Sequence, residues 1–206
     1  MLSKSFFTGI AAVQEALLYI SFTLIIALPV MLAYAPDALP EGSIAFLYEV
    51  SLTAAFLVLL IRPLADLFPG VPWLRPLVIL RKGFGVLSAT IIVSFAFAKI
   101  MLFGSEYLLA FFSSEHWSFE NYAILAPLGD ISAFILLVTS NKFSKRVLGV
   151  GWKRVQKLAY LYFYAGALYE YLVLGQEFAF WFALVVFSVS VAAFIKKRAV
   201  PLPLPA

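Results

Sequence analysis

The chain alternates long apolar runs with short polar or proline-rich interruptions. Apolar runs cover residues 1–34, 43–60, 83–103, 122–140, 153–174 and 178–195. A helix needs about 20 mostly apolar residues to cross the hydrocarbon core, so the pattern predicts six membrane-spanning helices. The first interruption is the acidic turn P-D-A-L-P-E-G at 36–42. The second carries Arg62, Asp66, Arg75, Arg81 and Lys82, broken up by Pro63, Pro69, Pro72 and Pro76. Residues 105–121 are less apolar, with Tyr107, Leu108, Phe111 and Phe112 at helical spacing and Glu106 and Glu115 among them. That segment predicts an interfacial helix between helices three and four. Lys196, Lys197 and Arg198 are expected to stop the last helix, and the A-V-P-L-P-L-P-A tail reads as extended or disordered.

The first run also resembles a signal peptide, with Ala33-Tyr34-Ala35 as a possible cleavage site. Its apolar stretch exceeds the usual 7–15 residues, about half its length, so an uncleaved first helix is expected. Pro29 is tolerable within a membrane helix. The fold class is therefore all-α: a polytopic six-helix bundle forming a single domain over residues 1–206.

Composition sharpens this. Hydrophobic residues make up 64% and charged residues 13%, where soluble domains average about 25% charged; the mean hydropathy is +0.99. No cysteine is present, which excludes disulfides and thiolate chemistry, and the lone His116 excludes a bis-histidine haem within one chain. A sequence pI near 9.3 would suggest nucleic acid until the charges are placed. With six spans and the N-terminus inside, every Lys and Arg except Lys99 falls on the cytoplasmic side. The basic balance is thus topology, with anionic lipids as an added attraction. The expected location is the bacterial cytoplasmic (inner) membrane, with both termini cytoplasmic and no nucleic-acid partner.

Three stretches carry a family resemblance: G-V-G-W-K-R-V-Q-K-L-A-Y-L-Y-F-Y-A-G-A-L-Y-E-Y-L-V-L-G at 149–175, R-K-G-F-G-V-L-S-A from Arg81, and T-S-N-K-F-S-K-R-V-L-G from Thr139. Over about residues 62–175 the chain resembles the ferric reductase-like transmembrane domain. Within that family it is most similar to the haem-binding membrane subunit of the periplasmic methionine sulfoxide reductase system. The resemblance implies haem-ligand histidines on helices three and five. Here the matched positions hold Phe95, Gln156 and Tyr169, so no b-type haem is expected. Phe95 and Tyr169 would face each other inside the bundle. They either line a remodelled pocket for another planar ligand, such as a quinone, a carotenoid or a lipid tail, or simply fill the former haem volume.

Ionisable residues within spans are candidates for function, and by position these are Glu15, Glu49, Lys99, Asp130 and Glu170. Lys99 and Glu170 fall toward the outer ends of antiparallel neighbours and could pair. Structural ion pairs and snorkelling side chains explain the same residues. His116, beside Trp117, reads as a solvated interfacial histidine, and no metal site is expected. The tyrosines of helix five (Tyr160, Tyr162, Tyr164, Tyr169, Tyr171) suit a pigment cleft or ordinary aromatic packing. Gly166 between two alanines suggests a close helix contact. Gly83-x-Gly85 lacks the strand–turn–helix setting of a dinucleotide site.

Three classes of function follow. The favoured one is a haem-less, non-catalytic structural or accessory subunit of a larger membrane complex, contacting other membrane-protein subunits and lipids and holding a lipid, quinone or pigment. The second is an electron-transfer subunit with haem b or flavin held by unusual ligands; the absent histidines argue against it. The third is a proton, ion or small-molecule transporter, for which the sequence offers no broken-helix pair or inverted repeat.

Overall fold

Residues 3–199 are described by a computed structural model. Nine α-helices are present among them: α1 (Lys4–Tyr34), α2 (Ser43–Leu67), α3 (Leu74–Leu77), α4 (Arg81–Phe111), α5 (Leu125–Thr139), α6 (Lys142–Leu148), α7 (Gly151–Val155), α8 (Leu158–Leu172) and α9 (Glu177–Ala199). Five segments are long and apolar enough to cross a membrane: Lys4–Tyr34, Ser43–Leu67, Leu74–Phe111, Glu120–Thr139 and Glu177–Ala199. The protein is an all-helical integral membrane protein.

Helix packing forms a ring. α2 packs on α4, α4 on α5, α5 on α8, α8 on α9, and α9 returns to α2; α1 lies outside the ring, against α4. The core inside it joins Leu52, Leu59, Val93, Ala133, Phe163 and Val186. The outward faces are apolar as well (Phe22, Phe46, Leu109, Phe187 and Phe194 are exposed), as expected where the surrounding solvent is hydrocarbon. The helices satisfy most backbone groups internally, as a bilayer demands, although Pro29 in α1 and Pro63 in α2 each lack the N–H of that ladder.

Both ends of the described chain lie at one end of the bundle. Gln14 of α1 accepts a hydrogen bond from the Gly83 N–H at the start of α4 (3.0 Å). Lys196 near the end of α9 donates to the Leu67 carbonyl that closes α2, a favourable position for a cation. Arg62, Lys82 and Lys153 gather at this same end, which is called the basic end below.

The element boundaries differ from the expected ones in detail. The span predicted at 153–174 is interrupted: α7 and α8 are separated at Gln156 and Lys157, where Ala159 and Tyr160 bond to carbonyls three residues back, a 3₁₀-type tightening. α8 alone has 15 residues. The expected boundary after Phe103 falls at Gly104 (φ 55°, ψ −128°), a backbone conformation open to glycine, and helix resumes beyond it only to Phe111, shorter than the 105–121 segment expected to be helical. Turns and a short 3₁₀ segment, Glu120–Tyr122, follow. Lys196, Lys197 and Arg198 lie in the last turn of α9, which is described to Ala199, with Arg198 stacked on the Phe194 ring at 4.4 Å. The proline-rich tail from 200 onward lies outside the described residues.

Candidate functional site

Three serine, serine and tyrosine hydroxyls meet at the centre of the ring. Ser51 (α2), Ser88 (α4) and Tyr162 (α8) are all buried. Their oxygens form a triangle: Ser88 to Tyr162 2.7 Å, Ser51 to Tyr162 2.9 Å and Ser51 to Ser88 3.2 Å. Ser88 Oγ donates to the Ser51 carbonyl at 2.8 Å. With Tyr162 then donating to Ser88 and Ser51 to Tyr162, every hydroxyl proton is used. Small residues let α2 and α4 approach closely here, and hydrogen bonds between helices hold where water is excluded.

The triangle separates two cavities. Tyr162 lines both, Ser51 lines the far one and Ser88 the basic one. The far cavity, about 80 Å³, is bounded by Tyr48, Lys99, Asp130, Tyr169 and Glu170 over an apolar floor that includes Ile92 and Phe163. It has room for a few waters and is far below the roughly 300 Å³ at which organic-ligand sites begin. Glu170 is 5% exposed, and its Oε2 has no hydrogen-bond partner. The basic-end cavity is about 740 Å³ and is lined from α2, α4, α5, α8 and α9.

The positions picked out by the family resemblance lie in different surroundings. Phe95 is buried and stacked on Tyr48, with ring centroids 4.6 Å apart and planes within 2°. Tyr48 also lines the far cavity with Tyr169, so it links the two residues expected to oppose each other. Gln156 lines the basic-end cavity, and its amide donates to Thr139 Oγ1 at 3.3 Å. Trp152 Nε1 donates to the Thr139 carbonyl at 2.9 Å, so the pair ties the α7 region to the end of α5. A phenyl ring packed on a tyrosine, an amide engaged with a threonine and a phenol do not fit the ligand set of a b-type haem.

Of the ionisable candidates, the structure brings Lys99, Asp130 and Glu170 together around the far cavity. The expected Lys99–Glu170 pair is not formed: no ion pair within 4.0 Å joins them, and Lys99 Nζ sits 5.8 Å from the Tyr107 ring centroid. Glu15 and Glu49 are exposed and line neither cavity. His116 is half-buried against Phe111, ring centroids 5.6 Å apart. Among the described residues no three His, Cys, Asp or Glu side chains gather as a metal site would require. Gly166 marks no tight contact, since a Cβ there would meet only Leu52 at 4.0 Å. The close approach is at Gly83, where a Cβ would lie 2.8 Å from Gln14 Oε1 and 2.9 Å from Leu17 Cδ1.

Sequence reading missed the Ser51–Ser88–Tyr162 triangle and the basic-end cavity. Scattered serines in apolar helices are common, and no single-chain spacing relates residue 51 to residue 162. No protein-family model matches the chain, and no solved structure matches it.

Proposed function

We propose that this protein is a haem-less relative of the ferric reductase-like transmembrane domain, acting as a non-catalytic accessory subunit that holds an amphiphilic molecule within a membrane assembly. The observation that carries the reading is the stack of Phe95 on Tyr48. It fills with aromatic carbon the place where the family resemblance expects an iron ligand. The engagement of Gln156 with Thr139 supports it at the second position. The capacity to hold a ligand rests on the basic-end cavity, whose roughly 740 Å³ suits a small organic molecule or lipid segment.

In this reading α7 and α8 together make the sixth crossing. Residues 151–172 rise roughly 30 Å along a helix axis, enough for the hydrocarbon core. Six crossings agree with the two ends of the described chain lying at one end of the bundle. The positive-inside rule then assigns the basic end to the cytoplasm in an inner membrane.

The accessory role is tested by solubilising native membranes in a mild detergent, isolating the full chain and identifying what accompanies it. A stoichiometric membrane-protein partner is expected. A monodisperse protein that runs alone from native membranes contradicts the accessory role.

A further inference from the structure

The positive-inside rule explains why cations crowd the basic end, but it does not explain why they converge on one void. Six cationic side chains (Arg62, Arg81, Lys82, Lys153, Lys157 and Lys197) line the basic-end cavity beside a single carboxylate, Asp66. Three other cations at this end are engaged elsewhere: Lys196 donates to the Leu67 carbonyl, Lys145 lies over the Trp152 ring and Arg198 over Phe194. Arg81 is the most telling. It is half-buried, and its Nε is fixed on the Val58 carbonyl of α2 at 2.7 Å. Its guanidinium is thereby held in place at the cavity wall, where an anion would be a favourable partner.

A second observation points the same way. Ser190 of α9 also lines this cavity, and its buried Oγ has no hydrogen-bond partner. Buried polar groups are rarely left unpaired. The upper wall is apolar, with Ala55, Leu59, Leu136 and Ala193. Along α4 the void reaches from Arg81 to Ser88, roughly 10 Å of helix rise. Cations at the mouth and an apolar interior describe a receptor for an anionic amphiphile.

We propose that the basic-end cavity binds the anionic phosphate group of an amphiphile, held at the mouth by Arg62, Arg81, Lys82 and Lys157, with its apolar chain rising between α2 and α9. The proposal rests on the reading that this chain holds a ligand, and it names the ligand's chemistry. Arg81 supplies the geometry: a fixed guanidinium presents parallel donors to two phosphate oxygens. The lysines supply charge. The same phosphate recognition would serve an anionic lipid or a soluble phosphate compound.

The test uses the full chain in a zwitterionic detergent, with dioleoyl-phosphatidylglycerol, dioleoyl-phosphatidylcholine and inorganic pyrophosphate as separate probes. Native mass spectrometry reads adducts and a thermal melt reads stabilisation. Phosphatidylglycerol should give a one-to-one adduct and a raised melting temperature, and phosphatidylcholine should give neither. Arg81→Gln combined with Lys82→Gln should weaken binding by about tenfold or more, as loss of charge-assisted hydrogen bonds does. Because Arg81 also bonds α2, Lys153→Gln with Lys157→Gln is the second variant, and it should weaken binding without lowering the melting temperature of the free protein. Lys142→Gln, outside the cavity, should bind as the parent does. Stabilisation by pyrophosphate alone, lost in the same variants, supports the phosphate site and assigns it to a soluble ligand. Equal binding of both lipids, or unchanged binding in both double variants, overturns the proposal. A haem b spectrum would end the haem-less reading and leave the lipid result standing; a colourless protein that ignores both anionic probes would end this proposal alone.

Discussion

Tyr162 carries the largest share of the polar organisation at the centre of this bundle. Its hydroxyl is shared by Ser51 and Ser88, and all three side chains are buried. Tyr162→Phe should therefore destabilise the protein by about 1 kcal/mol, the scale of a buried hydrogen bond in protein or membrane. Thermal or denaturant unfolding in mild detergent measures it, and an unchanged midpoint would mean the triangle is incidental. Phe95→Ala removes a ring that is 8% exposed and stacked on Tyr48. It should cost about 3 kcal/mol, less where lipid fills the gap. At this scale the sequence was legible where chemistry was unusual. Glu170, Asp130 and Lys99 stood out as charges in apolar runs and do converge on one cavity. Glu15 and Glu49 stood out equally and are exposed, because burial depends on helix rotation, which a lone charge does not reveal. The serines of the triangle carry no charge to draw notice.

Helix boundaries were legible from the apolar runs, but the interruption at Gln156 and Lys157 was not. The break at Gly104 coincides with the end of the apolar run at Phe103, whereas the short resumption of helix to Phe111 shows only in the backbone torsions. The α7–α8 break falls beside Lys157, whose neighbours give no proline or glycine signal. Gly83 and Gly85 looked alike as a Gly-x-Gly pair, yet their surroundings separate them. A Cβ at Gly83 would press on Gln14 and Leu17 below 3.0 Å, whereas one at Gly85 would meet Val58 Cγ2 at 3.6 Å. Gly83→Ala should loosen α1 from α4 at a cost of about 1–3 kcal/mol, as overpacking does. Gly85→Ala should be neutral or stabilising by up to about 1 kcal/mol, since alanine is the better helix former. Limited proteolysis of the α1–α2 connection, read beside melting temperatures, checks both; equal behaviour of the two variants would contradict the packing described.

The whole molecule is a ring of five packed helices with a sixth laid against α4, pierced from each end by a cavity and closed in the middle by three hydroxyls. Membrane class followed directly from the length and apolarity of the runs. The cavities did not, because a void is defined by side chains from five helices whose mutual rotation no one-dimensional pattern records. The crossing number is checked by reporter fusions: positions after Gly42, Trp117 and Gly175 should report the outer compartment, and positions after Gly70 and Arg146 the cytoplasm. An inverted pattern would contradict the orientation, and an odd number of crossings would contradict six. The central claim is that this bundle, proposed above to be reductase-like, carries no haem. Its most direct test is the dithionite-reduced minus oxidised spectrum of the full chain, expressed with ample haem and purified in mild detergent. The account predicts a flat difference spectrum in the haem α-band region; a stoichiometric b-type α-band would contradict it and assign the protein to electron transfer.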